Sequence, residues 1–207
     1  IVGEPVSCRA LAPIEVSGIG EELSAIAEAA LRKLAGGGCG LVILNTVQRA
    51  QELYGLMHTQ TDAELLLFHA RYPADERRER EKTVIEKFGR RGVRPVRALL
   101  IATQVVEQSL DIDFDFMISD LAPVDLLLQR AGRLHRHERE RPEAHRIPRL
   151  IVAGFRQDRL PELIETAWGF VYDPYVLYRT WAIAGPEILW QLPGDIDRLV
   201  QAVYSSD

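Results

Sequence analysis

Residues 96–113 read VRALLIATQVVEQSLDID. An unbroken apolar run, Ala98 to Ala102, gives way to Thr103 and Gln104 and then to a loop carrying Glu107, Asp111 and Asp113. A short apolar run of this kind reads as a strand. In an open α/β sheet, ligands gather at the carboxyl ends of the strands, so the polar residues that follow such a run are where chemistry is expected.

The same pattern repeats on either side. Strands are expected at Ile14–Val16, Leu41–Leu44, Glu64–His69, Val96–Ala102, Phe116–Ser119 and Arg149–Val152. Helical periodicity fills the gaps at Gly20–Leu34, with Leu23, Ile26, Ala27 and Ala30 on one face, and at Val47–Met57, Ala74–Phe88 and Val124–Ala131. This alternation is the signature of βαβ units. It predicts an open, mostly parallel α/β sheet with helices on both faces over residues 1–155, and the Gly36-Gly37-Gly38 run is placed to stop the first helix. Residues 156–207, with Trp168, Tyr172, Tyr175, Tyr178, Trp181 and Trp190, read as a mostly helical, aromatic-rich extension packed against that sheet.

At 207 residues and 47% hydrophobic content the chain suits one globular domain with an appendage. Its formal charge of -5 excludes a bulk polycation, so any nucleic-acid binding is local. Charge is segregated: residues 71–97 hold ten Lys or Arg against five acids, residues 98–129 six acids and no base, and residues 130–149 seven Arg against three Glu. Solvated helix faces would give the first block as readily as a binding surface would. Cys8 and Cys39 form no CxxC pair, which points to the reducing cytoplasm, and no apolar run is long enough for a membrane span.

Residues after the strands supply the candidate site. Asn45 and Thr46 open a helix whose free N–H groups suit a phosphate, although Thr46 as a simple cap reads equally well. His69 and Arg71 follow the third run; Arg71 fits a backbone phosphate or a surface ion pair. Thr103 and Gln104 follow the fourth. The strongest signal is Gln129-Arg130-Ala131-Gly132-Arg133-Leu134-His135-Arg136-His137. On a helix, Arg130, Arg133 and Arg136 would lie along one side, about 60° apart per step, as a row of permanently charged forks for phosphate oxygens. A solvated basic helix end is the alternative. No metal site is expected of His135 and His137, which lack a matching acid or Cys and have Arg neighbours. The lack of a GxGxxG near the start argues against a dinucleotide-binding oxidoreductase.

The blocks LVILNT, LLLFHARY, LIATQVVEQSLDIDFD and DLLLQRAGRLHRH, in that order, resemble motifs IV to VI of superfamily 2 helicases. The last two depart from the DEAD-box form: EQS replaces the ARG-like triplet, and Leu134-His135 replaces the usual Thr-Gly. They are similar to the CRISPR-associated helicase-nuclease of type I interference systems, as is YDPYVLYRTWAIAGPEILWQLPGDIDRLVQAVY downstream. The resemblance implies the second RecA-like domain of an ATP-dependent motor, with the start of a C-terminal accessory region from residue 156. It assigns Arg133 and Arg136 to the ATP γ-phosphate, Gln129 to the link between the ATP site and the facing domain, Arg130 to bracing the motif, and Asp111 to the ribose. Asn45, Thr46, Arg71 and Thr103, with His69 and Gln104 as weaker members, would hold the backbone of single-stranded DNA. Neither a GxxxxGK[ST] loop nor a His-Asp nuclease constellation is present. The resemblance therefore implies that ATP with Mg2+ is held mainly by a first RecA-like domain. It further implies a metal-dependent nuclease domain and a CRISPR surveillance complex as partners, and no ATPase from this chain alone. The alternative is a non-catalytic module that binds nucleic acid or protein.

Overall fold

The computed structural model describes residues 12–107, 110–156, 158–164, 166 and 168–205. Seven strands form one sheet: β1 (Ile14–Ile19), β2 (Gly38–Ile43), β3 (Glu64–Phe68), β4 (Arg97–Ala102), β5 (Phe116–Asp120), β6 (Arg149–Ala153) and β7 (Leu189–Trp190). Their order is β3-β4-β2-β5-β6-β1-β7. All pairings are parallel except that of β7 with β1. Val42 of β2 sits opposite Ile101 of β4 and Ile118 of β5, and all three side chains are buried.

Helices α1 (Leu23–Leu34), α2 (Val47–His58), α3 (Ala74–Phe88) and α4 (Val124–Ala131) make the crossovers. Parallel crossovers are right-handed. The β1-to-β2 and β2-to-β3 connections run one way across the sheet, and β3-to-β4 and β5-to-β6 run the other, so α1 and α2 cover one face and α3 and α4 the opposite one. This is the RecA-like α/β architecture expected. The α1 stop also matches: Ala35 caps the helix, then Gly37 and Gly38 take φ of 77° and 83°, where a side chain would strain the turn. Gly40 has a different reason. A Cβ there would lie 2.2 Å from the Phe116 ring, so glycine lets the β5 aromatic pack flat on β2.

Boundaries shift slightly. Val96 stands exposed before β4, and His69 lies just past β3. In the extension, α5 (Pro174–Ala184) starts where Asp173 accepts hydrogen bonds from the Tyr175 and Val176 N–H groups, and α6 (Ile196–Tyr204) follows β7. Trp168, Leu177, Trp190, Leu199 and Val203 join the same core, whereas Tyr175 and Tyr178 face outward. The aromatic stretch therefore only partly packs against the sheet.

The row of arginines on one helix is not formed. α4 ends at Ala131 and Gly132 caps it. The chain leaves through two tighter turns, with Arg133 N–H donating to the Arg130 carbonyl and Leu134 N–H to that of Ala131. His135 then takes φ of 49° and donates its N–H to the Phe114 carbonyl. That left-handed position is where DEAD-box sequences place glycine, and it bends the segment away from the helix axis.

Candidate nucleotide and nucleic-acid site

Parallel strands bring Asn45, His69, Thr103 and Gln104 to one edge of the sheet. The Asn45 backbone N–H donates to Asp120 Oδ2 (2.9 Å) and its side-chain amide to the Leu121 carbonyl (2.7 Å), while Oδ1 is buried with no partner. Thr46 does cap α2, accepting from the Arg49 N–H. The N–H groups of Val47 and Gln48 stand in the first turn, where an α-helix supplies no carbonyl. Gln104 donates to the Asn45 carbonyl (3.0 Å) and to Tyr172 Oη (3.2 Å).

Buried His69 stacks on Tyr72 with centroids 4.1 Å apart, and the Arg80 guanidinium lies 3.9 Å from the Tyr72 ring centre. Burial pushes the His69 pKa down. Arg71 beside this stack is exposed and has no ion pair among the described residues.

The three arginines follow the loop after β4 instead of a helix face. Arg130, fully buried, donates from Nε to Glu107 Oε1 (2.7 Å), from Nη1 to Ser119 Oγ (2.7 Å) and from Nη2 to Tyr172 Oη (3.2 Å). Arg133, 6% exposed, spends its fork on the carbonyls of Leu110 and Glu107. Burial, then the Arg136 charge, pushes its pKa down. The Arg136 side chain is 48% exposed; its Nε donates to Asp111 Oδ1 (2.8 Å), and both Nη groups are without a partner among the described residues. Gln129 is exposed. Of the five residues expected around ATP, Arg136, Asp111 and Gln129 are therefore accessible, whereas Arg130 is taken up by the Glu107, Ser119 and Tyr172 side chains and Arg133 by the Glu107 and Leu110 carbonyls. Gln108 and Ser109 of that loop lie outside the described residues.

Asp111 has a second ligand: His137 Nε2 lies 2.9 Å from the same Oδ1. The His137 hydrogen bond and then that of Arg136 hold the Asp111 carboxyl at about 2. Sequence reasoning missed His137 in this role, and missed Asp120, whose carboxylate takes a two-point contact from Arg49 (2.9 and 3.1 Å). It also missed Tyr172, which ties the extension to both Gln104 and Arg130. Asp120 was hidden as the last residue of an apolar strand. Among the described residues, no three His, Cys, Asp or Glu side chains gather to hold a metal ion, and no helix is long and apolar enough to cross a membrane.

The family model for the CRISPR-associated nuclease/helicase Cas3, C-terminal, matches residues 36–139, a span that includes every candidate site residue. The chain belongs to the Cas3 family. A curated relative, the CRISPR-associated endonuclease/helicase Cas3 of Thermus thermophilus, is 40% identical over the whole chain, which covers 27% of that relative. A solved structure of T. fusca Cas3 with ATP superposes with a TM-score of 0.88 at 37% identity over 99% of the chain and 25% of its own length. A chain of a CRISPR RNA-guided surveillance complex, pre-nicking, superposes with a TM-score of 0.85 at 36% identity, covering 99% of this chain and 26% of that one. The chain thus spans about a quarter of the Cas3 proteins it matches, and corresponds to a helicase portion of them.

Proposed function

We propose that this chain is the second RecA-like half of an ATP-dependent motor that moves on single-stranded DNA during CRISPR interference, with residues from 156 onward beginning an accessory region. The observation that carries this reading is Arg136: a guanidinium outside the core, anchored at Nε by Asp111, with both Nη groups without a partner among the described residues. ATP with Mg2+ bound on a facing domain would supply the developing γ-phosphoryl charge that such a fork stabilises. The donor set fits a phosphate better than a metal ion, because the accessible groups are N–H donors. Among the described residues no three His, Cys, Asp or Glu side chains gather to hold Mg2+.

On this reading Arg136 acts as the arginine finger, Asp111 orients it and meets the ribose edge, and Gln129 faces the other domain. Arg130 and Arg133 serve by holding Glu107 and, for Arg133, Leu110, a narrower role for Arg133 than direct contact with the γ-phosphate. The DNA backbone would be gripped by the α2 N terminus at Asn45 and Thr46, by Arg71, and by the Thr103 edge; sequence-independent backbone contacts of this type suffice for a translocase. His69 and Gln104 support those contacts from behind. Domain closure brings Arg136 to the nucleotide and opening withdraws it, so alternating grips become movement.

The test is DNA-stimulated ATPase of this chain alone, then mixed with a separately made first RecA-like domain, with Arg136→Ala beside it. Silence alone, turnover on mixing, and a loss on the order of 10³–10⁵ in the variant are expected. Turnover by the chain alone would refute the split site, and near-normal turnover by Arg136→Ala would remove the finger. Burial of Arg133 favours the binding-module alternative, which predicts DNA binding with no ATPase in the mixture.

A further inference from the structure

Arg139 decides the protonation of His137. An arginine guanidinium only donates. Its Nη2 lies 3.1 Å from His137 Nδ1, so that ring nitrogen must be the acceptor and must carry no proton. The proton is then on Nε2, aimed at Asp111 Oδ1. The contact is a neutral imidazole donating to a carboxylate.

The residue is held on every side. Its side chain is 3% exposed. Its backbone N–H donates to Asp113 Oδ1 (3.2 Å), and its carbonyl accepts from Arg141 Nη2 (2.9 Å). Arg139 forms an ion pair with Asp113, its Nε 3.1 Å from Oδ2 without hydrogen-bond geometry, and donates from Nη2 to the Gly89 carbonyl (3.3 Å). Asp113 is fully buried. A chain of contacts therefore runs Asp113, Arg139, His137, Asp111, Arg136, starting in the core and ending on a guanidinium whose Nη groups have no partner among the described residues.

We infer that His137 is a positioning residue for Arg136: Arg139 locks its neutral Nε2–H form, that N–H fixes the Asp111 carboxylate, and the carboxylate aims the Arg136 fork outward. Asp111 and Arg136 are both about half exposed and would otherwise sample many rotamers. A finger that contributes only in the transition state loses rate, with little change in substrate affinity, when it is loosely held. The inference rests on the finger reading of Arg136, and its test separates the two.

Two measurements are made. Imidazole ¹⁵N shifts of the 207-residue chain read which ring nitrogen of His137 is protonated, without reference to turnover. Steady-state ATPase in the assembled motor compares His137→Ala, His137→Gln, Arg136→Ala and the double variant His137→Ala/Arg136→Ala. The expected tautomer carries its proton on Nε2. His137→Ala should lower kcat by roughly tenfold with the KM for ATP nearly constant. Gln keeps a donor near the Nε2 position and should recover most of the rate, which a packing role alone would not explain. The double variant should be no slower than Arg136→Ala, since contacts acting in series are not additive. A proton on Nδ1, an unchanged kcat in His137→Ala, or a further tenfold loss on top of Arg136→Ala would each overturn the inference. Normal turnover by Arg136→Ala with the Nε2 tautomer intact would sink the finger reading while leaving the His137–Asp111 contact in place; the positioning role would then fall with the finger.

Discussion

Strand β5 is flanked by two buried aspartates that use one device at opposite edges of the sheet. Asp115, just before it, accepts the Cys39 N–H near the start of β2 (2.7 Å); Asp120, its last residue, accepts the Asn45 N–H just past the end of β2 (2.9 Å). Each thus clamps two neighbouring strands where their own ladder stops. The two edges differ in how they balance the charge. At the carboxyl edge Asp120 has one arginine, Arg49, which also donates to the Glu21 carbonyl and is partly open to water. At the amino edge Asp113 and Asp115 share Arg94, Arg139 and Arg141 in a buried network. The amino edge is rigid and multiply connected, and it supports the Arg136 segment. The carboxyl edge is less connected: Asn45 Oδ1 has no partner among the described residues, and the first turn of α2 leaves N–H groups that the helix itself does not satisfy.

The largest effect should follow removal of an amino-edge acid. Asp115→Ala leaves Arg94, Arg139 and Arg141 sharing the one carboxylate of Asp113 and orphans the Cys39 N–H; breaking a buried pair from one side costs about 3–5 kcal/mol. Asp120→Ala should cost clearly less, because Arg49 can turn toward solvent and keeps a carbonyl partner. Urea unfolding of the two variants side by side measures the gap. Equal losses would break the distinction between a locked edge and a loose one.

A pH experiment sharpens it. His135, beside the amino-edge network, has its pKa pushed down from 6.5 to about 4 by burial first and by Arg141 second. Below pH 6.5 the unfolded chain binds a proton that the folded state refuses until about pH 4, so stability falls as pH drops through that window. His69 and His145, also lowered mainly by burial, act in the same direction. His135→Asn tolerates the left-handed φ and does not titrate. It should reduce the stability loss between pH 7 and pH 4.5 by roughly 2–3 kcal/mol relative to the parent chain. Parallel acid dependence in the two proteins would show that His135 is not held neutral.

How these edges could be read from sequence also differs. Apolar runs placed six of the seven strands and the four crossover helices, because a buried parallel sheet leaves that imprint on any chain. The carboxyl edge was legible for the same reason: Asn45, His69, Thr103 and Gln104 each follow a run. The Arg130, Arg133 and Arg136 spacing was misleading as geometry. Gly132 and the left-handed His135 break the helix, so the three reach Glu107, Leu110 and Asp111 from different depths. Nothing in the pattern revealed the amino-edge network, since Arg94, Asp113, Asp115, Arg139 and Arg141 come from separate segments joined only by the fold. Block counts of charge registered the residues without their pairing. Tyr172 was read as one aromatic among several, and its contacts depend on where the extension crosses the sheet edge.

Tyr172 gives the smallest expected effect. Its hydroxyl accepts from Gln104 and Arg130 at 3.2 Å, and Phe at this position keeps the ring while removing both contacts. Arg130 retains Glu107 and Ser119, and Gln104 retains the Asn45 carbonyl, so no buried donor is stranded. Under those conditions loss of the hydroxyl should cost about 1 kcal/mol, a fall of about 2–4 °C in Tm for a chain of this size. Thermal melts of Tyr172→Phe beside Asp115→Ala measure it. A loss in Tyr172→Phe comparable to that in Asp115→Ala would mean that the extension locks the carboxyl edge as firmly as the arginine network locks the other, and the contrast between the two edges would have to be withdrawn.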